Sequence, residues 1–176
     1  MKQILESNRI KLRPLRPSDA KILKEYSKDK KITKYTFVIP PPFTVKHAQV
    51  FIKKAQKEKK KGLSYYFGIE YKENGKLIGM INLVNISKKN KNAETGFWLA
   101  EKYQHKGLAE EALNLILDFG FKKLKLKRIE AWVLHKNKSA QKLLEKTGFK
   151  LEGRLRKKIF FKNQWFDKLI YGILKD

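Results

Sequence analysis

Between Ala93 and Leu134 the sequence carries two kinds of apolar pattern, and their order constrains the topology more than any other feature. Ala93 to Ala100 reads as an apolar strand, and Ile129 to Leu134 reads as another. Between them, Gly107 to Leu124 repeats with a helical period, placing Ala109, Ala112, Leu113, Ile116, Leu117, Gly120 and Phe121 on one face. A strand, a helix and a strand in direct succession are expected to form a parallel pair, with the helix crossing one face of the sheet in the right-handed sense.

The flanking segments supply the rest of that sheet. Arg9 to Leu15 alternates charged and apolar residues, as a half-buried edge strand does, and an edge tolerates Pro14. Ser18 is the expected cap of a helix through about Asp29, with Asp19 in its first turn. Val38 to Phe43 contains three consecutive prolines and reads as a loop. Thr44 caps the next helix, whose apolar face carries Val45, Ala48, Phe51, Ile52 and Ala55. Tyr65 to Tyr71 and Leu77 to Leu83 are strands joined at Asn74-Gly75, the signal for a type I′ hairpin turn. Ser139 to Lys146 is a short helix ended by Gly148, and two last strands run from about Phe149 to Phe161 and from Phe166 to Leu174, turned near Asn163-Gln164. An antiparallel meander therefore leads into the crossover, in the order β-α-α-β-β-β-α-β-α-β-β. The expectation is one mixed α+β domain over residues 1–176, without repeats or linkers.

Composition narrows the chemistry. A chain of 176 residues can bury a proper core, since domains of this size hide roughly 70% of their unfolded surface. It has no cysteine, which removes disulfides, thiolate metal sites and cysteine nucleophiles. His47, His105 and His135 lack the pairing of a zinc site. No apolar run is long enough for a transmembrane helix, and the opening segment MKQILESNRIKLRPLRP has no apolar signal core, so a soluble, cytoplasmic protein without membrane contact is expected.

Lys+Arg 42 against Asp+Glu 17 gives a net charge of +25. Such a field draws in nucleic acid, acidic lipids, nucleotide cofactors or acidic proteins. The cations are almost all lysine, a bias that a hot habitat or coding composition produces equally well. The densest runs, Lys57 to Lys61 and Lys88 to Lys91, look like a frayed helix end before Gly62 and a loop, and neither interleaves aromatics with its charges.

The informative junction is Glu94 to Ala109: strand, short loop, helix. A loop that opens onto a helix N-terminus presents free N–H groups and the positive end of the helix dipole, a ready anion site. Gly107 admits a phosphate close to the backbone or takes a positive φ, small Ala109 leaves the first turn uncrowded, and His105 and Lys106 add positive charge. The bare pattern, Gln or Arg, two residues, Gly, one residue, then Gly or Ala, is met at about one position in 1,000 by chance, and an ordinary strand-to-helix turn shares it. Its position between a strand and a long amphipathic helix gives it weight.

Gln104-His105-Lys106-Gly107-Leu108-Ala109 resembles the pyrophosphate loop of the GNAT superfamily of acetyl-CoA-dependent N-acetyltransferases. The Arg9-Ile10-Lys11-Leu12-Arg13 strand, Glu94-Thr95-Gly96-Phe97-Trp98-Leu99, Asn137 followed by Leu144 to Phe149, and Asp167 with Tyr171-Gly172 in the final strand are similar to the branch that acetylates N-terminal alanines of ribosomal proteins. The likeness covers nearly the whole chain in the right order. It implies a twisted, mostly antiparallel sheet with a parallel pair splayed at the acetyl-CoA site, flanked by about four helices. It also implies that backbone groups of Phe97, Trp98 and Leu99 bond the pantetheine arm, that the amides of Gln104, His105, Lys106, Gly107, Leu108 and Ala109 hold the pyrophosphate, and that the Asn137 side chain touches the cofactor. Trp98 reads equally as a core aromatic, which is compatible.

The reaction asks little of side chains. The attacking amine must be neutral, and an α-amine of pKa about 7.7–8.0 needs less help than a lysine near 10.4. A carboxylate acting through one water suffices as base. By resemblance Glu94 is the candidate, with a lysine-paired surface carboxylate as the alternative and Glu130 as a second, weaker choice. The branch commonly reads Asn-x-x-Ser, whereas Asn137-Lys138-Ser139-Ala140 places serine one position early, a turn of about 100° on a helix. Ser139 or a water is the candidate acid, and Asn137 or Ser139 serves equally as an N-cap.

A protein N-terminus is the expected acceptor, because a polyamine is repelled by this charge while a protein bound to RNA lies in a negative field. The same charge makes ribosome or RNA association an expected partner interaction. A small-molecule amine acetyltransferase, a basic nucleic-acid-binding module, and a member that binds CoA without turnover are the alternatives. Acceptor contacts are expected from the Pro40-Pro41-Pro42 loop, the first two helices and the last hairpin.

Overall fold

The computed structural model describes residues 4–35 and 42–175, so Pro40 and Pro41 of the expected proline loop lie outside the described residues. The strands are β1 (Leu5–Glu6), β2 (Ile10–Pro14), β3 (Tyr65–Tyr71), β4 (Lys76–Ser87), β5 (Asn92–Leu99), β6 (Arg128–Leu134), β7 (Lys150–Phe161) and β8 (Gln164–Leu174). The helices are α1 (Ala20–Tyr26), the single turn α2 (Lys30–Thr33), α3 (Val45–Lys61), α4 (Leu108–Asp118) and α5 (Lys138–Lys146). The eight strands form one sheet in the order β1-β2-β3-β4-β5-β6-β8-β7. Every neighbouring pair is antiparallel except β5 and β6, which are parallel and joined through α4, as the strand–helix–strand pattern requires.

Each face of the sheet is covered by the stripe that the helical periods present. On one face Ala112, Leu113 and Ile116 of α4 and Leu144 of α5 pack with Ile10, Leu12, Phe67, Ile69, Ile81 and Ile129. On the other, Leu23 of α1 and Ala48 and Ile52 of α3 pack with Leu15, Leu77 and Met80. Thr44 caps α3 by accepting from the His47 N–H at 3.2 Å, and Gly62 ends it with φ 68°.

The first helix departs from the expected start and end. Pro17–Asp19 is a 3-10 turn, and Asp19 rather than Ser18 does the capping: its carboxylate accepts the Arg16 N–H at 2.7 Å. The same carboxylate pairs with Arg13 at 2.8 Å, and Arg13 also reaches Glu70 at 2.5 Å. A buried guanidinium held by two carboxylates thus ties the entry of α1 to β2 and β3, which a short serine side chain could not do. The helix stops at Tyr26, and α2 restarts as a separate turn.

Two hairpin turns also differ from expectation. β3 and β4 close through Lys72 to Gly75 with Tyr71 opposite Lys76, and Gly75 takes a positive φ (65°) while Asn74 does not. Asn74 instead accepts the Lys76 N–H with its side chain at 3.0 Å, so the loop is four residues and not the two-residue type I′ turn. The type I′ geometry occurs in the last hairpin, where Lys162 (φ 48°) and Asn163 (φ 57°) lie between Phe161 and Gln164. After α4 the chain widens into a π turn over Phe119–Lys123, with Gly120 packed so closely that an added Cβ would sit 2.7 Å from Ile129.

Candidate active site

The parallel pair is short. β5 and β6 are in register only at Asn92↔Arg128, Ala93↔Ile129 and Glu94↔Glu130, and beyond Glu94 the two strands part. At the same level β4 holds an extra residue: Val84 faces Glu94 and Ser87 faces Asn92, with Asn85 bulged out at φ 53°. From Thr95 to Leu99, β5 therefore has a strand partner on one edge alone. The Ala100 N–H donates to the Ile78 carbonyl at 2.8 Å, so by alternation Trp98 also turns its backbone toward β4, and Phe97 and Leu99 turn theirs into the gap. This narrows the sequence expectation, which included all three residues. Leu99 C=O already accepts from the Gln104 side chain at 2.9 Å, leaving the Phe97 N–H and C=O and the Leu99 N–H as open pairing groups.

The loop after β5 presents donors to the same gap. Gly107, at φ 77°, precedes α4 and offers no capping side chain, whereas Thr44 and Asn137 cap α3 and α5 with theirs. The first-turn amides of α4 are consequently left for a ligand, with the helix dipole behind them. His105 takes a left-handed φ of 59° to turn the loop inward. Arg9 clamps it from β2's end, donating to the Lys106 carbonyl at 2.9 Å and pairing with Glu111. Burial raises the Glu111 pKa, but hydrogen bonds from Ser7 and Arg9 outweigh it and leave the carboxyl below its ordinary value. Glu110, the other first-turn acid, pairs with Lys146 at 2.6 Å. Sequence reasoning placed Arg9 on a strand without giving it this task, and nothing in its spacing announces the clamp.

Gap and loop open into one cavity of about 720 Å³ that passes through the sheet at the splay. On the α4 side its walls include Gln104, His105, Gly107, Ala109, Val133 and Asn137. On the α1–α3 side they include Tyr35, Phe43, Phe51, Tyr66, Trp98 and Trp132. Glu94, half-buried at the last paired position of β5, also lines the cavity and accepts a hydrogen bond from Asn85 Nδ2 at 2.9 Å. Lys106 is exposed and Leu108 is fully buried in the core, and neither is among the residues that line the cavity.

Asn137 Oδ1 accepts the Ala140 N–H at 3.3 Å and the Ser139 hydroxyl at 3.1 Å, so Asn137 is the N-cap of α5. Both residues line the cavity, and Asn137 keeps its Nδ2 as a donor toward it. Glu130, the weaker candidate base, is not part of that lining; it pairs with Arg128 at 2.6 Å, which also holds Glu152. Thr95 spends its hydroxyl on the Asn82 carbonyl at 2.8 Å. Among the described residues no group of histidines and carboxylates could hold a metal ion.

An unpaired strand edge suits an extended amide-bearing arm, an uncapped helix N-terminus suits a diphosphate, and the two lie along one cavity that a carboxylate also lines. Fold and site thus fit an acyl transferase that draws on a coenzyme A thioester, the class that the resemblance implies. Residues 9–150 match the acetyltransferase (GNAT) domain model, and the chain belongs to that family. It is 34% identical over 174 residues to an uncharacterized N-acetyltransferase, p20, of Bacillus licheniformis, covering 98% of this chain and 97% of the relative. The solved ribosomal-protein-S5-alanine acetyltransferase of Vibrio fischeri superposes with a TM-score of 0.90 at 25% identity, covering 99% of this chain and 97% of the other. Spermidine N-acetyltransferase of Vibrio cholerae, in complex with CoA and spermine, superposes at 0.84 with 26% identity and 96% of both chains covered. The protein is an N-acetyltransferase with acetyl-CoA as its co-substrate, on the mixed α/β fold expected from the resemblance. No described helix is long and apolar enough to cross a membrane.

Proposed function

We propose that the acceptor is the α-amine of a protein N-terminus. The observation that carries this reading is the acceptor wall of the cavity, which is aromatic and holds Lys34 and, among the described residues, a single carboxylate without a cation partner, Glu94. A polyamine needs several carboxylates to replace the water around its separate charges. An N-terminal residue brings one amine and a short side chain, which suits a single carboxylate and an apolar wall. The net charge of +25 acts in the same direction.

Acetyl-CoA, when bound, supplies a thioester whose carbonyl is already activated toward amines. Phe97 and Leu99 pair with the pantetheine arm as a strand would, the Gln104 to Ala109 loop and the first turn of α4 hold the diphosphate, and Asn137 Nδ2 contacts the arm from α5. Glu94 takes the amine proton through a water, a modest task because an α-amine titrates at about 7.7–8.0. The Phe97 N–H faces the gap and stabilises negative charge as it develops on the acetyl oxygen. The departing thiolate receives its proton from Ser139 or from water, completing transfer without a covalent enzyme intermediate.

The test is thiol release from acetyl-CoA with peptides beginning Ala, Ser or Met, beside spermidine and free lysine. Turnover selective for a peptide N-terminus is expected. Glu94→Gln is expected to lower kcat about 10²- to 10⁴-fold, the usual contribution of a general base, with the KM for acetyl-CoA unchanged. Preferred turnover of spermidine would replace the acceptor assignment, and full activity in Glu94→Gln would remove the base.

A further inference from the structure

The β7–β8 hairpin carries an exposed surface that is both aromatic and basic. β7 is the outermost strand, with β8 on one side and no strand on the other. Leu151 (54%), Leu155 (44%), Phe160 (59%) and Trp165 (56%) leave more of their surface in water than large apolar side chains usually do. Phe160 and Trp165 are cross-strand partners with ring centroids 5.0 Å apart. The hairpin carries seven cations against two carboxylates. Both carboxylates are spent: Glu152 on Arg128 and Asp167 on Arg154. Arg156, Lys157 and Lys158 are exposed and form no ion pair among the described residues, and Lys162 reaches the Thr33 carbonyl while lying 5.2 Å from the Phe161 ring.

We propose that this hairpin is a docking surface for single-stranded RNA. The occupant must be anionic, because the free charges are of one sign. A second copy of the chain, paired edge to edge, would oppose these cations with their own duplicates. The edge is also poorly shaped for strand addition: its register is broken at Leu151/Gly153 and again at Leu155/Ile159, and Lys157 has a left-handed φ of 46°. Cations beside an exposed ring pair suit a single strand of RNA, since aromatic rings stack with any base while flanking cations follow the phosphates.

The position gives the surface a purpose. Lys162 at the hairpin tip bonds to Thr33, two residues from Tyr35 on the acceptor wall, and Tyr35 reaches the Lys136 carbonyl at 3.3 Å. RNA held at the tip would bring a protein bound to that RNA to the mouth of the cavity. This last step rests on the acceptor being a protein N-terminus; the binding itself does not.

Fluorescence anisotropy of a labelled 12-nucleotide single-stranded RNA tests the proposal, with acetylation of a short free peptide measured in parallel. Wild type is expected to bind with a negative slope of log K against log salt. The Phe160→Ala/Trp165→Ala double variant should lose about tenfold in affinity or more, as removal of base-stacking rings does. Lys157→Gln/Lys158→Gln should flatten the salt slope by about 1.4, since each neutralised phosphate contributes roughly 0.7 on a single strand. Both variants should still bind acetyl-CoA and unfold cooperatively, which shows that they fold. Unchanged RNA affinity in the ring variant, tighter binding of duplex RNA, or a wild-type dimer that the ring substitutions dissociate would each overturn it. Failure of peptide acetylation with RNA binding intact would overturn the acceptor reading alone.

Discussion

At Asn85 one residue does two jobs with two different parts. Its backbone sits at φ 53°, a left-handed conformation that asparagine tolerates better than most side chains, and this supplies the bulge opposite the splay. Its side chain donates to Glu94 at 2.9 Å and so fixes the direction of the carboxylate. Glycine separates the two, because it adopts the same backbone freely and removes only the amide. Asn85→Gly is therefore expected to leave the fold intact and to lower kcat about two- to tenfold, the range for one exposed hydrogen bond. In a Glu94→Gln background it should cost nothing more, since the pair acts as a unit. Steady-state kinetics of the two single variants and the double variant check this; an equal loss in both backgrounds would mean that Asn85 acts elsewhere. No sequence pattern marks Asn85, because a bulge is set by the register of two strands, and register is a property of the pair. The family resemblance points to Glu94 as a candidate base, and nothing in it points to Asn85.

Among the elements, those carried by a long period were the most readable, and those set by a single contact the least. The α4 face, the β5–β6 parallel pair and the loop between them follow from repeats many residues long. The start of α1 does not, because Asp19 answers to Arg13 and Glu70, which are remote in sequence but buried beside it. β1 has no signature in the sequence because two residues carry no period at all. The Asn74-Gly75 dipeptide signals a type I′ turn by backbone preference, but the asparagine spends its side chain on Lys76 and lengthens the loop. The α4 junction is where element and chemistry meet, and Gly107 tests it. Its φ of 77° strains any other residue, and an added Cβ would stand 3.1 Å from Arg9 Nη2, the side chain that clamps the loop. Gly107→Ala should cost about 1–2 kcal/mol at this backbone position. Its expected signature is a severalfold higher KM for acetyl-CoA with kcat at saturation nearly unchanged, because the diphosphate cradle shifts while Glu94 on β5 does not. A fall in kcat alone would place the damage at Glu94 and contradict the assignment of the loop.

For the whole molecule the excess of cations decides how stability responds to pH and salt. Asp167 is held below its ordinary pKa first by the Lys157 N–H and then by Arg154, and Glu152 by Arg128. Glu6 is lowered beside Lys72, Glu25 beside Lys24, and Glu111 through Ser7 and Arg9 against the opposing effect of burial. A carboxylate with a depressed pKa in the folded state adds stability above its unfolded value, and that stability is lost as pH falls through the folded value. Unfolded carboxylates titrate at about 3.9–4.3, so Tm is expected to hold near neutrality and to fall progressively below about pH 4.5. Each proton taken up also adds to a charge that already stands at +25, so self-repulsion steepens the loss. Salt separates the two contributions. These ion pairs are mostly at the surface, where screening costs little, whereas repulsion among the excess cations is long-ranged and is screened strongly at a Debye length of about 8 Å. Adding salt at neutral pH should therefore raise Tm, and scanning calorimetry across a salt series measures it. A Tm that fell with salt would mean that the paired carboxylates outweigh the excess charge, and the lysines would then have to be organised into compensating networks rather than left free to meet an anionic partner.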